Sequence, residues 1–174
     1  MGNIKIINDE LFRIGKYEFI KFVDDNGNII GVLKNSLCDM SFGNNNDFSK
    51  SDILNKLNNE FLPEIEKIVG SENLIEFETD LISLDGSKKY GTMKSKVSIP
   101  TFDFYRKNRA TFAKYNLNDW WWLATPDTTS EFVNDYWVVC VSPRGDIDVG
   151  SYGNANGVRP FLTFISTIFD SLVK

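Results

Sequence analysis

The chain of 174 residues contains no histidine and only two cysteines, so carboxylates, hydroxyls and amines set the chemistry open to it. Without an imidazole, a histidine-based triad and imidazole metal ligation are both excluded, and Cys38 and Cys140 cannot by themselves complete a cysteine zinc site. Asp146 and Asp148 are the pair best spaced for acid–base work. Gly145-Asp146-Ile147-Asp148 nevertheless reads more simply as a turn entering a strand, with both acids on its outer face. Asp24-Asp25-Asn26-Gly27-Asn28 is rich in oxygen ligands, yet its glycine and the distal glutamate miss the spacing of a calcium loop. No phosphate loop or dinucleotide fingerprint occurs. We read no catalytic set, no metal site and no cofactor site, which points to a non-enzymatic protein that works by binding.

The elements that would carry binding residues follow from periodicity and turn signals. Ile4 to Ile7, Tyr17 to Val23 and Ile29 to Leu33 read as strands of a small β meander, and Asn26-Gly27 between the last two is a hairpin signal. From Ser51 to Val69, Ile53, Leu54, Leu57, Phe61, Ile65, Ile68 and Val69 recur at three- and four-residue steps. This predicts an amphipathic helix capped by Ser49 or Ser51 and stopped at Gly70. Pro63 has no amide for an interior helical bond, so the helix should kink near Asn59 or divide in two. A second helix should run from Thr101 to about Lys114. Short strands are expected around Leu74 to Asp80, Lys96 to Ile99, Trp121 to Ala124, Val133 to Ser142, Ile147 to Val149 and Val158 to Ile165. Trp120, Trp121 and Trp122 are adjacent, so at least one should face outward if they lie on a strand. Arg159 should be a structural arginine, tied to buried backbone carbonyls or to a carboxylate such as Asp119. The cysteines read as free, buried thiols.

The formal net charge of −5 is unevenly distributed. Lys88, Lys89, Lys94, Lys96, Arg106, Lys107, Arg109 and Lys114 face only Asp103 between Gly86 and Asn118. From Asp119 onward, Asp127, Glu131, Asp135, Asp146, Asp148 and Asp170 outweigh Arg144, Arg159 and Lys174. A basic band of this kind can meet phosphates, and an acidic surface can meet a basic protein. Two ordinary solvated faces are the simpler reading. No stretch is long and apolar enough to span a membrane and no leader is evident, so the chain is expected to be soluble and cytoplasmic.

Ser51 to Leu62, the run Lys96-Val97-Ser98-Ile99-Pro100-Thr101-Phe102-Asp103-Phe104-Tyr105-Arg106, then Trp121-Trp122-Leu123-Ala124-Thr125-Pro126 and Gly157-Val158-Arg159-Pro160 occur in that order. Together they resemble an uncharacterised family of gut bacteria and their phages, with the signature W-W-L-R-S-P followed by G-V-R-P. That family looks related to C-type-lectin-like folds, including the formylglycine-generating-enzyme group. The resemblance implies an α+β fold: a single C-type-lectin-like domain over residues 1–174, with short, mainly antiparallel strands, two or three helices and an irregular C-terminal half. Ala124 and Thr125 replace the family's arginine and serine. The catalytic cysteines of the formylglycine-generating group and the Glu-Pro-Asn calcium motif of sugar-binding lectins are both missing.

In lectin-like relatives the region between the tryptophan run and G-V-R-P forms recognition loops. The resemblance therefore places a partner-binding surface on Asp127, Thr128, Glu131, Asn134, Tyr136, Arg144, Asp146, Asp148, Tyr152, Asn154 and Asn156. A nucleic-acid surface would be formed by Lys88, Lys89, Lys94, Arg106, Lys107 and Arg109. The expected function is that of a phage or mobile-element protein that inhibits a host defence system, with a CRISPR effector nuclease as the expected protein partner and DNA as a possible second contact. The alternative is a lectin-like module of a phage that binds a receptor or glycan.

Overall fold

The computed structural model describes residues 4–170 as a mixed α+β fold, mostly β-sheet. Strands β1 (Ile4–Ile6), β2 (Leu11–Ile14), β3 (Tyr17–Val23) and β4 (Ile29–Leu33) form an antiparallel meander. Asp24 tightens the β3–β4 turn by accepting the amides of Asn26 and Asn28. The meander includes β2, which its short apolar run did not reveal in the sequence. After β5 (Asp39–Met40) comes the first helical region, α1 (Asp52–Lys56), a π-helical turn (Leu57–Phe61) and α2 (Leu62–Val69). Ser51 Oγ caps it by accepting the Leu54 amide at 3.0 Å, and Gly70 ends it at φ +86°. Pro63 cannot donate to the Asn59 carbonyl, and the chain widens one turn there, with the Leu62 amide reaching back to Leu57. The kink expected near Asn59 thus takes the form of a π turn between two α segments.

The segment around Leu74 to Asp80 is two strands, β6 (Leu74–Ile75) and β7 (Phe77–Asp80), which belong to different sheets. β8 (Thr92–Ser95) pairs with β7, and β9 (Val97–Ser98) follows. The second helical region breaks at Asn108 into α3 (Phe102–Lys107) and α4 (Arg109–Lys114) instead of running through. Thr101 caps α3 through the Phe104 amide, and Asn108 Nδ2 donates to the Phe104 carbonyl at the break. The chain continues through β10 (Trp121–Pro126), β11 (Trp137–Val141), β12 (Ile147–Ser151), β13 (Asn156–Gly157), β14 (Phe161–Phe164) and α5 (Thr167–Asp170). One sheet runs β1-β2-β3-β4-β14-β6, with β9 also on β14, and a second runs β12-β11-β10-β13-β5. In the C-terminal half β10, β11 and β12 form an antiparallel ladder whose β10–β11 register shifts between Trp122 and Pro126.

β10 lies between two cores. Trp122 and Ala124 face one that contains Phe42, Phe48, Val138, Cys140 and Val158. Trp121 and Leu123 face another with Ile20, Val32, Tyr105, Phe112, Val139 and Val141. The expectation of an outward tryptophan therefore fails on β10: Trp121 and Trp122 do point to opposite sides, but both sides are interior. Trp120, just before the strand, is half-buried. Each buried indole N–H finds an acceptor at 3.0 Å, Trp121 on Asn116 Oδ1 and Trp122 on the Met40 carbonyl. Full burial of one such side chain contributes roughly 4–6 kcal/mol of transfer free energy. Cys140 is buried and Cys38 half-buried, both are free, and burial pushes the Cys140 thiol up to about 12.

Gly157-Val158-Arg159-Pro160 joins the two sheets. Gly157 approaches so closely that an added Cβ would lie 3.0 Å from Ser36 Oγ and 3.2 Å from the Trp120 carbonyl. Val158 exchanges backbone bonds with Leu37 and Cys38, and the Pro160 carbonyl accepts from Leu33. Arg159 is fully buried, donating through Nε to the Leu33 carbonyl and through Nη2 to the Lys34 carbonyl, both at 2.9 Å. Its guanidinium lies 4.7 Å from the centre of a Trp121 ring. Burial draws its pKa down to about 9, which leaves it charged at neutral pH. Of the two partners expected for Arg159, backbone carbonyls are the ones found.

Two substitutions test this packing. Gly31, mid-strand in β4 with β3 on one side and β14 on the other, would place an alanine Cβ 2.7 Å from Phe12 Cζ. Gly31→Ala should cost about 1–3 kcal/mol. Arg159→Lys cannot reproduce the two-carbonyl fork and the ring contact together, and should cost about 2–4 kcal/mol. Denaturant melts of the variants against the parent check both values.

Candidate binding surface

The chain leaves β10 at Pro126 and returns as β11 at Trp137, and the intervening loop is held from beneath. The Asp127 amide donates to the Trp137 carbonyl at 3.1 Å, closing the loop at its base. Asn46, fully buried and contributed by the segment after β5, fixes both ends. Its Nδ2 donates to the Thr128 carbonyl at 2.8 Å and the Trp137 carbonyl at 2.9 Å, and its backbone amide donates to the Asp135 carbonyl. The Tyr90 hydroxyl donates to Asn46 Oδ1 at 2.7 Å. Burial, followed by the charges of Asp135 and Asp47, pushes the Tyr90 phenol up to about 12, so the hydroxyl remains a donor throughout the physiological range. Sequence reading missed Asn46. It sits in the polar run Asn44-Asn45-Asn46-Asp47, which has the composition of a solvated turn.

What this anchor holds outward is apolar. Phe132 is 59% exposed, Val133 71%, Tyr136 43% and Trp137 38%. The Tyr136 ring packs edge-on against Trp137 at 4.8 Å and against half-buried Tyr152 at 5.0 Å. Four large exposed apolar side chains within six residues are a concentration that soluble surfaces normally avoid. Acids border them. Glu131 accepts the Ser87 hydroxyl at 2.7 Å. Asp85 accepts the Ser83 and Thr128 hydroxyls, which hold its carboxyl below the usual range. Asp127 is shifted the other way, first by burial and then by the charge of Asp85.

The predicted partner-binding residues do not form one surface. Asp127, Thr128, Glu131, Asn134, Tyr136, Tyr152 and Asn154 lie toward the loop end of the β11–β12 hairpin, with Thr128 buried and Asn134 bonding the Tyr136 amide. Arg144 and Asp146 lie at the hairpin's opposite end, paired with each other at 3.2 Å, and exposed Asp148 follows on β12. Asn156 is a correction: it is buried in β13, opposite Met40 of β5, because the chain there is already entering the sheet.

The predicted nucleic-acid residues differ in their surroundings. Arg106 bridges Asp103 at 2.9 Å, Lys94 stands cross-strand from Glu78, Lys89 donates to the Ser130 hydroxyl and Arg109 lies over the Tyr105 ring at 5.4 Å. Lys88 and Lys107 are exposed. Lys96 and Lys114, in the same band, pair with Glu66 and Glu10. The acids that answer the band thus come largely from distant segments of the chain. Among the described residues no helix is long and apolar enough to cross a membrane.

Fold and surface together define a mostly antiparallel α+β domain that presents an anchored aromatic loop. The family model described as a domain of unknown function (DUF6273) matches residues 76–166, and the chain belongs to that family. No curated protein and no solved structure matches it.

If Asn46 is the anchor described, Asn46→Ala strands the buried Thr128 carbonyl and the Tyr90 hydroxyl, leaves the Trp137 carbonyl with the Asp127 amide alone, and should cost about 2–4 kcal/mol. Hydrogen exchange should report the change first in residues 127–137, before the strands of the meander respond.

Proposed function

We propose that this is a non-enzymatic protein-binding module of C-type-lectin-like architecture, which inhibits a host defence nuclease by occupying a basic surface on it. The observation that carries the reading is the exposed run Phe132, Val133, Tyr136 and Trp137, bordered by Asp127, Glu131 and Asp135. Aromatic side chains at the centre of a patch supply contact area at low entropic cost, and an acidic rim selects a positively charged partner and speeds encounter. A CRISPR effector nuclease carries such a surface in its nucleic-acid channel and is the partner to test first. The lectin-like assignment rests on the signature residues, and recognition from loops on a rigid scaffold is in keeping with it.

A second reading has its own observation. The clustered rings of Tyr136, Trp137 and Tyr152 are also a platform on which a sugar ring can stack, as a receptor- or glycan-binding module of a phage would require.

The test incubates the protein with CRISPR effectors, with and without guide RNA, and measures target cleavage and co-elution on a sizing column. Stoichiometric inhibition with a stable complex is expected, weakened at least ten-fold by Tyr136→Ser with Trp137→Ser, and less by Asp146→Asn with Asp148→Asn at the far end of the hairpin. Inhibition that disappears as target DNA is added, without co-elution, and that Lys88→Ala with Lys107→Ala removes, would assign the activity to DNA binding. No effect on any effector, together with glycan-array binding lost in Tyr136→Ser, would replace the inhibitor reading with the lectin-like one.

A further inference from the structure

A cavity of about 470 Å³ opens beside β7, between that strand, the loop that follows it and the start of α3. All the residues that line it fall within the segment matched by the family model, so the family's own domain builds it. Phe77, Phe102, Phe104 and Phe161 are each half-buried and contribute to its wall. Phe77 and Phe104 both set their rings 5.0 Å from Phe161, and Arg106 covers Phe102 at 5.4 Å. The size lies within the range that holds small ligands or side-chain anchors, and the walls are mainly apolar.

Two features identify the occupant. First, Phe77, Glu78, Thr79 and Asp80 all line the cavity, although alternate side chains of a strand point to opposite faces. The cavity therefore lies against the edge of β7, and β7 pairs only with β8 among the described residues. An unpaired strand edge is a template for an added strand. Second, the rim is acidic. Asp103 is bridged to Arg106 and Glu78 stands opposite Lys94, but Asp80 has no cation within bridging distance among the described residues. The wall formed by Ser83 and Leu84 is shared with the aromatic loop, since the Leu84 amide donates to the Pro126 carbonyl and Asp85 holds Thr128.

We infer that this groove is a second recognition site, which takes an extended segment of a partner protein. The segment adds as a strand to the free edge of β7, places one aromatic side chain among the four phenylalanines and carries lysine or arginine on either side of it. The inference rests on the reading of the chain as a protein-binding module, and it assigns the partner a linear element as well as a surface.

The probe is a fluorescein-labelled seven-residue peptide, Lys-Val-Lys-Trp-Lys-Val-Lys, titrated with the full chain and followed by anisotropy. Binding is expected to weaken at least ten-fold when the lysines become glutamate, when the tryptophan becomes alanine, or when the amides flanking the tryptophan are N-methylated. Ile82→Trp, which fills the cavity from its margin, should abolish binding while the thermal melt stays within a few degrees of the parent. Equal binding of the glutamate or N-methylated peptide, undiminished binding to Ile82→Trp, or no binding of the parent peptide would overturn the proposal. Tyr136→Ser with Trp137→Ser separates the two readings. It should lose nuclease capture and leave peptide binding intact: peptide binding lost in this variant condemns the groove as a separate site, and nuclease capture retained by it condemns the loop.

Discussion

The burial of both faces of β10 is the constraint on which the rest of the structure depends. A strand covered on one side needs a single core, whereas Trp121 and Trp122 pointing oppositely require two, and the chain must supply apolar matter from its whole length to fill them. Helical residues Tyr105 and Phe112 and the 48–69 segment are recruited to opposite sides of the same sheet. Both indole N–H groups must also be met, which fixes Asn116 against one face and the Met40 carbonyl against the other. Arg159 completes the arrangement by placing a charge against a π face and two backbone carbonyls, so the join between the sheets is held by direction as well as by apolar contact.

Much of this organisation was legible because local signals agreed with the fold. Asn26-Gly27 does turn β3 into β4, Ser51 and Gly70 do bound the first helical region, and Pro63 marks where the helix is irregular. The misreadings share a cause, which is information that lies across the chain. A strand buried on both faces looks, by alternation, like one with a wet side, so the tryptophans misled. β2 is short and gains its identity from pairing with β1 and β3. Asn108 interrupts the second helical region although the residues on both sides favour it.

The surface was less legible than the fold. Loop position drew attention to Asp127 through Tyr136, but not to the residue that holds that loop, since nothing in Asn44-Asn45-Asn46 distinguishes the buried amide from its neighbours. Composition likewise gathered the lysines and arginines into a band without its counter-charges, and Glu10 and Glu66 arrive from remote segments to meet Lys114 and Lys96. Runs of like charge in sequence become patches only when the fold keeps their counter-charges away. Here it brings them close to Lys96, Arg106 and Lys114.

β12 closes one side of the five-stranded sheet, and among the described residues its outer backbone groups have no neighbouring strand. Asp148 lies on that margin and Asp146 just before it, both exposed. Two copies meeting there in antiparallel register would bring these carboxylates toward one another and strip water from them, whatever their use in recognition. The sheet is thereby discouraged from growing into its own kind, and a protein whose outer loop bears phenylalanine, valine, tyrosine and tryptophan gains from that a margin against self-association in the crowded conditions in which it is made.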